Sequence, residues 1–267
     1  MKMVSSAKLR KAQKSIENFY PYEQKLTQIL RNFLSAETDN TSIYAETRDV
    51  KRVAIIVFSS NSSLCGGFNS NVAKRLAATI ESYSHLGHEN ISIYPVGKKI
   101  AKATRKLGFS VEDNYDEMAD KPTYSAARQL ADVVIELFSN KHVDKVEMIY
   151  HHFKNKSSQE LVEETLLPIK LDVTNENQSG MLLNYIIEPD RESIMNELIP
   201  KVLRLKVYTA LLDSNASEQA ARTIAMQIAT DNADDLLQEL NLQFNKSRQQ
   251  AITNELLDII GGSFGQN

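Results

Sequence analysis

The chain has 267 residues, a net charge of −3, and 42% apolar against 24% charged residues, the balance of a protein with one or two domains and a core of its own. That charge gives no reason to make nucleic acid the main partner, and a single cysteine, Cys65, excludes an intrachain disulfide framework. The longest purely apolar run, Val53 to Phe58, falls far short of the ~20 residues that cross a bilayer, so any membrane association must come through other proteins.

Residues 1 to about 35 carry apolar side chains at Leu9, Ala12, Ile16, Phe19, Leu26, Ile29 or Leu30, and Phe33. Gaps of three and four predict a helix that packs along one side, with Pro21 expected to kink or loosen it. Lys2, Lys8, Arg10, Lys11 and Lys14 break up any apolar signal segment, so no signal peptide is expected. Lys2 and Lys8 also oppose the helix dipole, and no Ser, Thr, Asp or Asn precedes them as a cap. The helix is therefore expected to lack its first turns.

After the polar stretch Ala36 to Lys51 the period changes. Arg52 to Phe58 is a continuous β-branched run, the pattern of a strand buried on both faces. The turn Leu64-Cys-Gly-Gly-Phe-Asn-Ser70 leads into a helix expected from Asn71 to Leu86. Further strands are expected at Ile91–Val96, Val143–Phe153, Gln159–Ile169 and Leu182–Ile187. Helices are expected at Lys98–Leu107 and from Pro122 to about Asn140, and loops at Glu112–Lys121 and Asp172–Gly180. Alternation of this kind predicts a small Rossmann-like layer with a mainly parallel sheet and flanking helices.

From Lys201 to Ile260 there is neither glycine nor proline, and Gly261-Gly262 are expected to stop the helix. Sixty residues at about 1.5 Å each make a rod of roughly 90 Å. Val202, Leu205, Tyr208, Leu212, Ala216, Ala220, Ile224, Ala229, Ala233, Leu236, Leu240 and Phe244 recur at the spacing of a coiled-coil seam. The N-terminal stripe is its expected antiparallel partner, but it reaches only about 50 Å of the rod. Leu256, Leu257, Ile259 and Ile260 at the uncovered tip point either to an enclosing partner or to self-association. The fold class is thus α/β plus a long antiparallel coiled coil. Its parts are an N-terminal helix and linker over 1–50, an α/β domain over 51–189 and a C-terminal helix over 190–267.

Three separated motifs carry a resemblance. Ile252-Thr-Asn-Glu-Leu-Leu-Asp-Ile-Ile-Gly-Gly262 resembles the C-terminal signature of the gamma subunits of F-type ATP synthases. Ser217-Glu-Gln-Ala-Ala-Arg222, Ala229-Thr-Asp-Asn-Ala233 and Asn245-Lys-Ser-Arg-Gln249 resemble the same family upstream. Met1-Lys-Met-Val-Ser-Ser-Ala-Lys-Leu-Arg10 is similar to its N-terminal helix, and Leu64-Cys-Gly-Gly-Phe-Asn-Ser-Asn71 to its first strand–turn–helix. Two departures stand out. Asn61-Ser62-Ser63 occupy the place of the family's Asp-Arg-Gly, and Met1 falls within a motif that lies several turns into the helix in relatives.

The resemblance implies a rotor shaft that couples proton flow through the membrane sector to ATP synthesis or hydrolysis at the beta subunits. It implies as partners the hexamer of alpha and beta subunits, the epsilon subunit and the c-subunit ring, at the cytoplasmic face of the bacterial inner membrane. It places partner contacts at Met1, Lys2, Arg222, Gln249, Thr253, Glu255 and Asp258. No cofactor is expected on this chain, since ATP and magnesium belong to the ring subunits. The rival reading is an α/β enzyme or small-molecule binder with a coiled-coil handle. Against it, Gly66-Gly67 lack a P-loop lysine or dinucleotide fingerprint, Cys65 lacks an arginine six residues on, and the adjacent His151 and His152 must face opposite ways along a strand.

Overall fold

The computed structural model describes residues 1–35, 43–111, 115–169 and 191–264. Helix α1 (Lys2–Ser35) is followed by β1 (Val53–Phe58), α2 (Phe68–Ser82), β2 (Ile91–Val96) and α3 (Lys98–Lys106). Then come α4 (Asp116–Asp120), α5 (Tyr124–Ser139), β3 (Lys145–Phe153), β4 (Gln159–Leu167) and α6 (Arg191–Phe264). The strands form one sheet in the order β2-β1-β3-β4. Strand β1 pairs parallel with β2 and β3, and β4 runs antiparallel at the edge beside β3. The sheet is therefore mainly parallel, as expected. The expected strand Leu182–Ile187, the loop Asp172–Gly180 and the Phe33 side chain lie outside the described residues.

Strand β1 explains why the sheet needs cover on both sides. All six of its residues are at most 1% exposed. Ala54, Ile56 and Phe58 pack with Leu130, Val134 and Phe138 of α5 and with Val202, Val207 and Leu211 of α6. Val53, Ile55 and Val57 face Val72 and Leu76 of α2 and Ile100 of α3. Each large side chain so enclosed is worth about 1.5–3 kcal/mol against exposure, as an upper figure.

The ends of the elements differ from the sequence reading in instructive ways. Helix α2 starts three residues earlier than expected and stops at Ser82, where the chain turns into short 3-10 segments. Helix α5 begins after Thr123, whose Oγ1 accepts the Ala126 N–H at 3.4 Å. The expected loop before it contains the short helix α4, with Met118 and Ala119 buried. Pro21, expected to kink or loosen its helix, and Pro200 both lie inside helices. At Pro21 the surface is exposed, so the carbonyl left unpaired one turn back meets water. At Pro200 the flanking Ile199 and Val202 are 1% and 2% exposed, and that packing carries α6 through the proline from its start at Arg191. Gly261-Gly262 do not stop α6 either. Glycine weakens a helix by about 1 kcal/mol but keeps its N–H donor, so it permits an end without imposing one.

Contacts divide the chain into two units, Met1–Ile224 and Ala225–Asn267. In the first, Ser5, Leu9, Ala12 and Leu30 of α1 are buried. The Phe19 ring meets the Tyr208 ring edge-on at 4.9 Å, and Lys8 acts electrostatically on Glu218. Rising numbers on α1 thus meet falling numbers on α6, which makes the two antiparallel. In the second unit, every residue from Ile228 to Ile260 is exposed. The seam expected to run on through Ala229, Ala233, Leu236, Leu240 and Phe244 is exposed there.

Candidate functional site

In an open α/β sheet a ligand binds in the crevice at the carboxyl ends of the strands, where the connections part to either side. Here that point lies between β1 and β3, since β1 leads through α2 to β2 while β3 returns on the other side. Helix α6 fills it. Ser217 Oγ donates to the His151 carbonyl at 3.2 Å, and Asn215 Nδ2 to the Ala119 carbonyl at 2.8 Å. Asp213, 2% exposed, meets His152 Nδ1 at 2.5 Å. The gap left among Phe58, Ser59, Val96, Ser214 and Glu218 is too tight to admit a water.

The start of α3, where backbone N–H groups could cradle a phosphate, is also taken. The first three N–H groups of α3 donate to Asn61 Oδ1 at 2.9 Å, the Ser60 carbonyl at 3.2 Å and Ser59 Oγ at 3.1 Å. This approach is possible only because residue 97 is glycine. It has φ +104°, and a Cβ there would lie 2.6 Å from the Ser59 carbonyl oxygen. Asn61 further donates to Asp120 Oδ2 and the Asp116 carbonyl, both at 2.7 Å. So Asn61-Ser62-Ser63, where the motif departs from its family pattern, is a structural clasp. Cys65 is 2% exposed beside Asn69 and Ser60, as a buried structural cysteine would be.

The two histidines turn to different neighbours, as strand alternation requires. His151 is 4% exposed, stacks on Phe68 at 4.4 Å and leaves Nδ1 without a partner; burial pushes its pKa down to about 4. Burial raises the Asp213 carboxyl while the bond from His152 opposes the rise. Among the described residues no group of three or more His, Cys, Asp or Glu could hold a metal ion. Glu147, 4% exposed, accepts from Lys145 Nζ at 2.5 Å and from Tyr83 Oη at 2.7 Å, an ion pair closed within the fold.

Of the expected contact positions, Met1 is 80% exposed, and Lys2, Gln249, Thr253, Glu255 and Asp258 are exposed as well. Thr253 Oγ1 donates to the Gln249 carbonyl at 2.9 Å, so these two share one turn. Arg222 is different. It is 9% exposed, pairs with Glu218 at 2.5 Å and donates to the Ser63 carbonyl, so its partners are internal. Burial raises the Glu218 carboxyl, and the Arg222 hydrogen bond works against that. Two further ion pairs fasten α6 to α5 and β4, Arg204–Asp132 at 2.5 Å and Lys206–Glu164 at 2.7 Å. The sequence reading missed this whole set of ties. The signal was the polar run Asp213, Ser214, Asn215, Ser217, Glu218 and Gln219 inside an apolar repeat, because polar residues on a packed helix must find partners.

The apolar residues on the second unit are instead exposed among the described residues. Leu236, Leu240, Phe244, Leu256, Leu257 and Ile259 are each 50–69% exposed. Large apolar side chains left this exposed on a stable protein mark an interaction surface. No described helix is long and apolar enough to cross a membrane.

The family model described as ATP synthase matches residues 1–264. The ATP synthase gamma chain of Phocaeicola vulgatus is 56% identical over 264 residues, covering 98% of this chain and 91% of the relative. That of Bacteroides fragilis is 58% identical over 265 residues, with the same coverage. Among solved structures, the central stalk and c-ring of the Tetrahymena thermophila mitochondrial ATP synthase aligns with a TM-score of 0.60 at 23% identity, over 86% of this chain and 97% of that one. The Euglena gracilis mitochondrial ATP synthase aligns at 0.56 with 20% identity, over 97% and 95%. At those identities the structural likeness speaks for the fold alone, whereas the sequence matches run nearly end to end: the chain belongs to the ATP synthase gamma chain family.

Proposed function

We propose that this chain is the central rotor shaft of an F-type ATP synthase, turning inside the hexamer of alpha and beta subunits and performing no catalysis itself. The observation that carries the reading is the 58% identity to a gamma chain across 98% of the sequence. The geometry supports it in two ways. The strand-end crevice, the natural seat of a nucleotide, is closed by α6, and the exposed apolar side chains of the second unit call for a sleeve of other subunits. Coupling then needs only that different faces of the shaft make different contacts with each beta subunit, since a contact shifts an equilibrium by its differential affinity for the two states.

In this reading residues 1–50 and 190–267 form the shaft helices and 51–189 the foot, which meets the epsilon subunit and the c-subunit ring. Met1, Lys2, Gln249, Thr253, Glu255 and Asp258 contact the hexamer. Arg222 is the seventh proposed contact, and it also ties the shaft helix to the foot through the Ser63 carbonyl. The complex sits at the cytoplasmic face of the bacterial inner membrane, and this chain reaches the membrane through its partners. The test is co-purification with matched alpha and beta subunits, using wild type and a Leu256→Asp/Leu257→Asp/Ile259→Asp variant. Wild type is expected to yield a stoichiometric complex that hydrolyses ATP. The variant is expected to lose assembly while its own unfolding midpoint stays put, because those side chains are 54%, 61% and 69% exposed and lose no intrachain packing. Failure of wild type to assemble, or unfolding of the free variant, overturns the reading.

A further inference from the structure

Helix α3 carries five cations in nine residues: Lys98, Lys99, Lys102, Arg105 and Lys106. At 100° per residue they fall within about a 120° arc, while Ile100, Ala101 and Thr104 fill the opposite arc and are buried. All five charges therefore lie on one exposed stripe about 12 Å long. Lys98, Lys102, Arg105 and Lys106 are exposed and Lys99 is half-buried, and none has an ion-pair or side-chain hydrogen-bond partner among the described residues. The arrangement breaks two local rules. Like charges three and four residues apart repel, and Lys98 and Lys99 sit at the helix start, where the dipole disfavours cations. A local rule broken without internal compensation points to a partner outside the chain.

We propose that this stripe docks on an anionic phospholipid surface. The proposal rests on the shaft reading, which puts the α/β foot beside a membrane, and adds a direct lipid contact to the contacts made through other subunits. The chemistry favours lipid over an acidic protein. Protein interfaces centre on buried apolar or aromatic anchors and are poor in lysine, whereas α3 exposes no large apolar side chain and only Leu107, just beyond it, is 39% exposed. A row of lysines without an anchor suits a diffuse layer of headgroup phosphates, each cation adding independently to the attraction.

The test is flotation of the full chain with vesicles of phosphatidylcholine alone or with about a quarter phosphatidylglycerol. Wild type is expected to float with the anionic vesicles only, and to be released by molar salt, where the screening length falls to about 3 Å. Lys102→Gln/Arg105→Gln/Lys106→Gln should weaken that partition by about a hundredfold. Lys8→Gln/Lys11→Gln/Lys14→Gln on α1, an equal loss of charge elsewhere, should leave it within about twofold. Wild type staying off the anionic vesicles, equal loss in both variants, or binding to poly-glutamate in place of vesicles overturns the proposal. Assembly with alpha and beta subunits, unchanged in the α3 variant, scores the shaft reading separately.

Discussion

His151 should make this chain sensitive to acid, and the size of the effect follows from its surroundings. The ring is 4% exposed, stacked on Phe68 at 4.4 Å, and its Nδ1 has no acceptor. A neutral imidazole can leave that nitrogen bare, but an imidazolium would bury an unpaired N–H together with its charge. The pKa accordingly falls from an ordinary 6.5 to about 4. Because the folded value lies below the unfolded one, the stabilisation is complete above pH ~6.5 and is lost as pH falls toward 4. Below that both states are protonated and nothing more is lost. The full shift corresponds to about 3 kcal/mol, of which about 2 should be gone at pH ~4.5. Replacement by Phe keeps a ring against Phe68 and leaves the backbone carbonyl free to accept from Ser217. Urea unfolding followed by circular dichroism, at pH ~7 and ~4.5, should show wild type losing about 2 kcal/mol more than His151→Phe between the two. Carboxylates titrate alike in both proteins, so the difference isolates the histidine. Equal losses would show that the buried ring is protonated without penalty and refute the argument.

Arg222→Met should destabilise the chain by about 3–5 kcal/mol, because it leaves the buried Glu218 without its counter-charge. Arg222→Met/Glu218→Gln should recover most of that in the same unfolding assay; no recovery would mean that the Ser63 contact dominates. Phe19→Cys/Tyr208→Cys, where the native rings stand 4.9 Å apart, should be bridged within one chain by a short bifunctional maleimide, and a purely intermolecular product on a denaturing gel would contradict the antiparallel packing.

What the sequence discloses here is mostly periodic. The doubly buried β1 is legible because six apolar, β-branched-rich residues leave no face for water. The α1 stripe is legible through Leu9, Ala12 and Leu30, spaced as one side of a helix. Helix ends are less so, since Pro200 and Gly261 bear on local cost while packing decides the outcome. Helix α4 is hidden in a polar segment with only Met118 and Ala119 to mark it. The candidate site divides the same way. Gln249, Thr253, Glu255 and Asp258 could be placed on an open helix by motif and period alone. Arg222 could not, because its partners are Glu218 one turn back and a carbonyl far away in the chain. Nothing in the spacing of residues 213–222 says that a helix will cross the ends of β1 and β3; only the unusual polarity of that run hints that it is enclosed.

The bond from Arg222 to the Ser63 carbonyl joins positions 159 apart. Synthesis at about 5–20 residues per second puts roughly 8–30 s between the appearance of its two ends. During that interval β1, α2, β2 and α3 can assemble, but the strand ends lack the helix that closes them, and the apolar residues bound for α6 have no cover on that side. A nascent gamma chain therefore spends seconds with the mouth of its sheet open. Stalling or truncation before residue 222 should leave a species with formed secondary structure and an unsealed core, the kind that binds hydrophobic dyes and is cut by proteases.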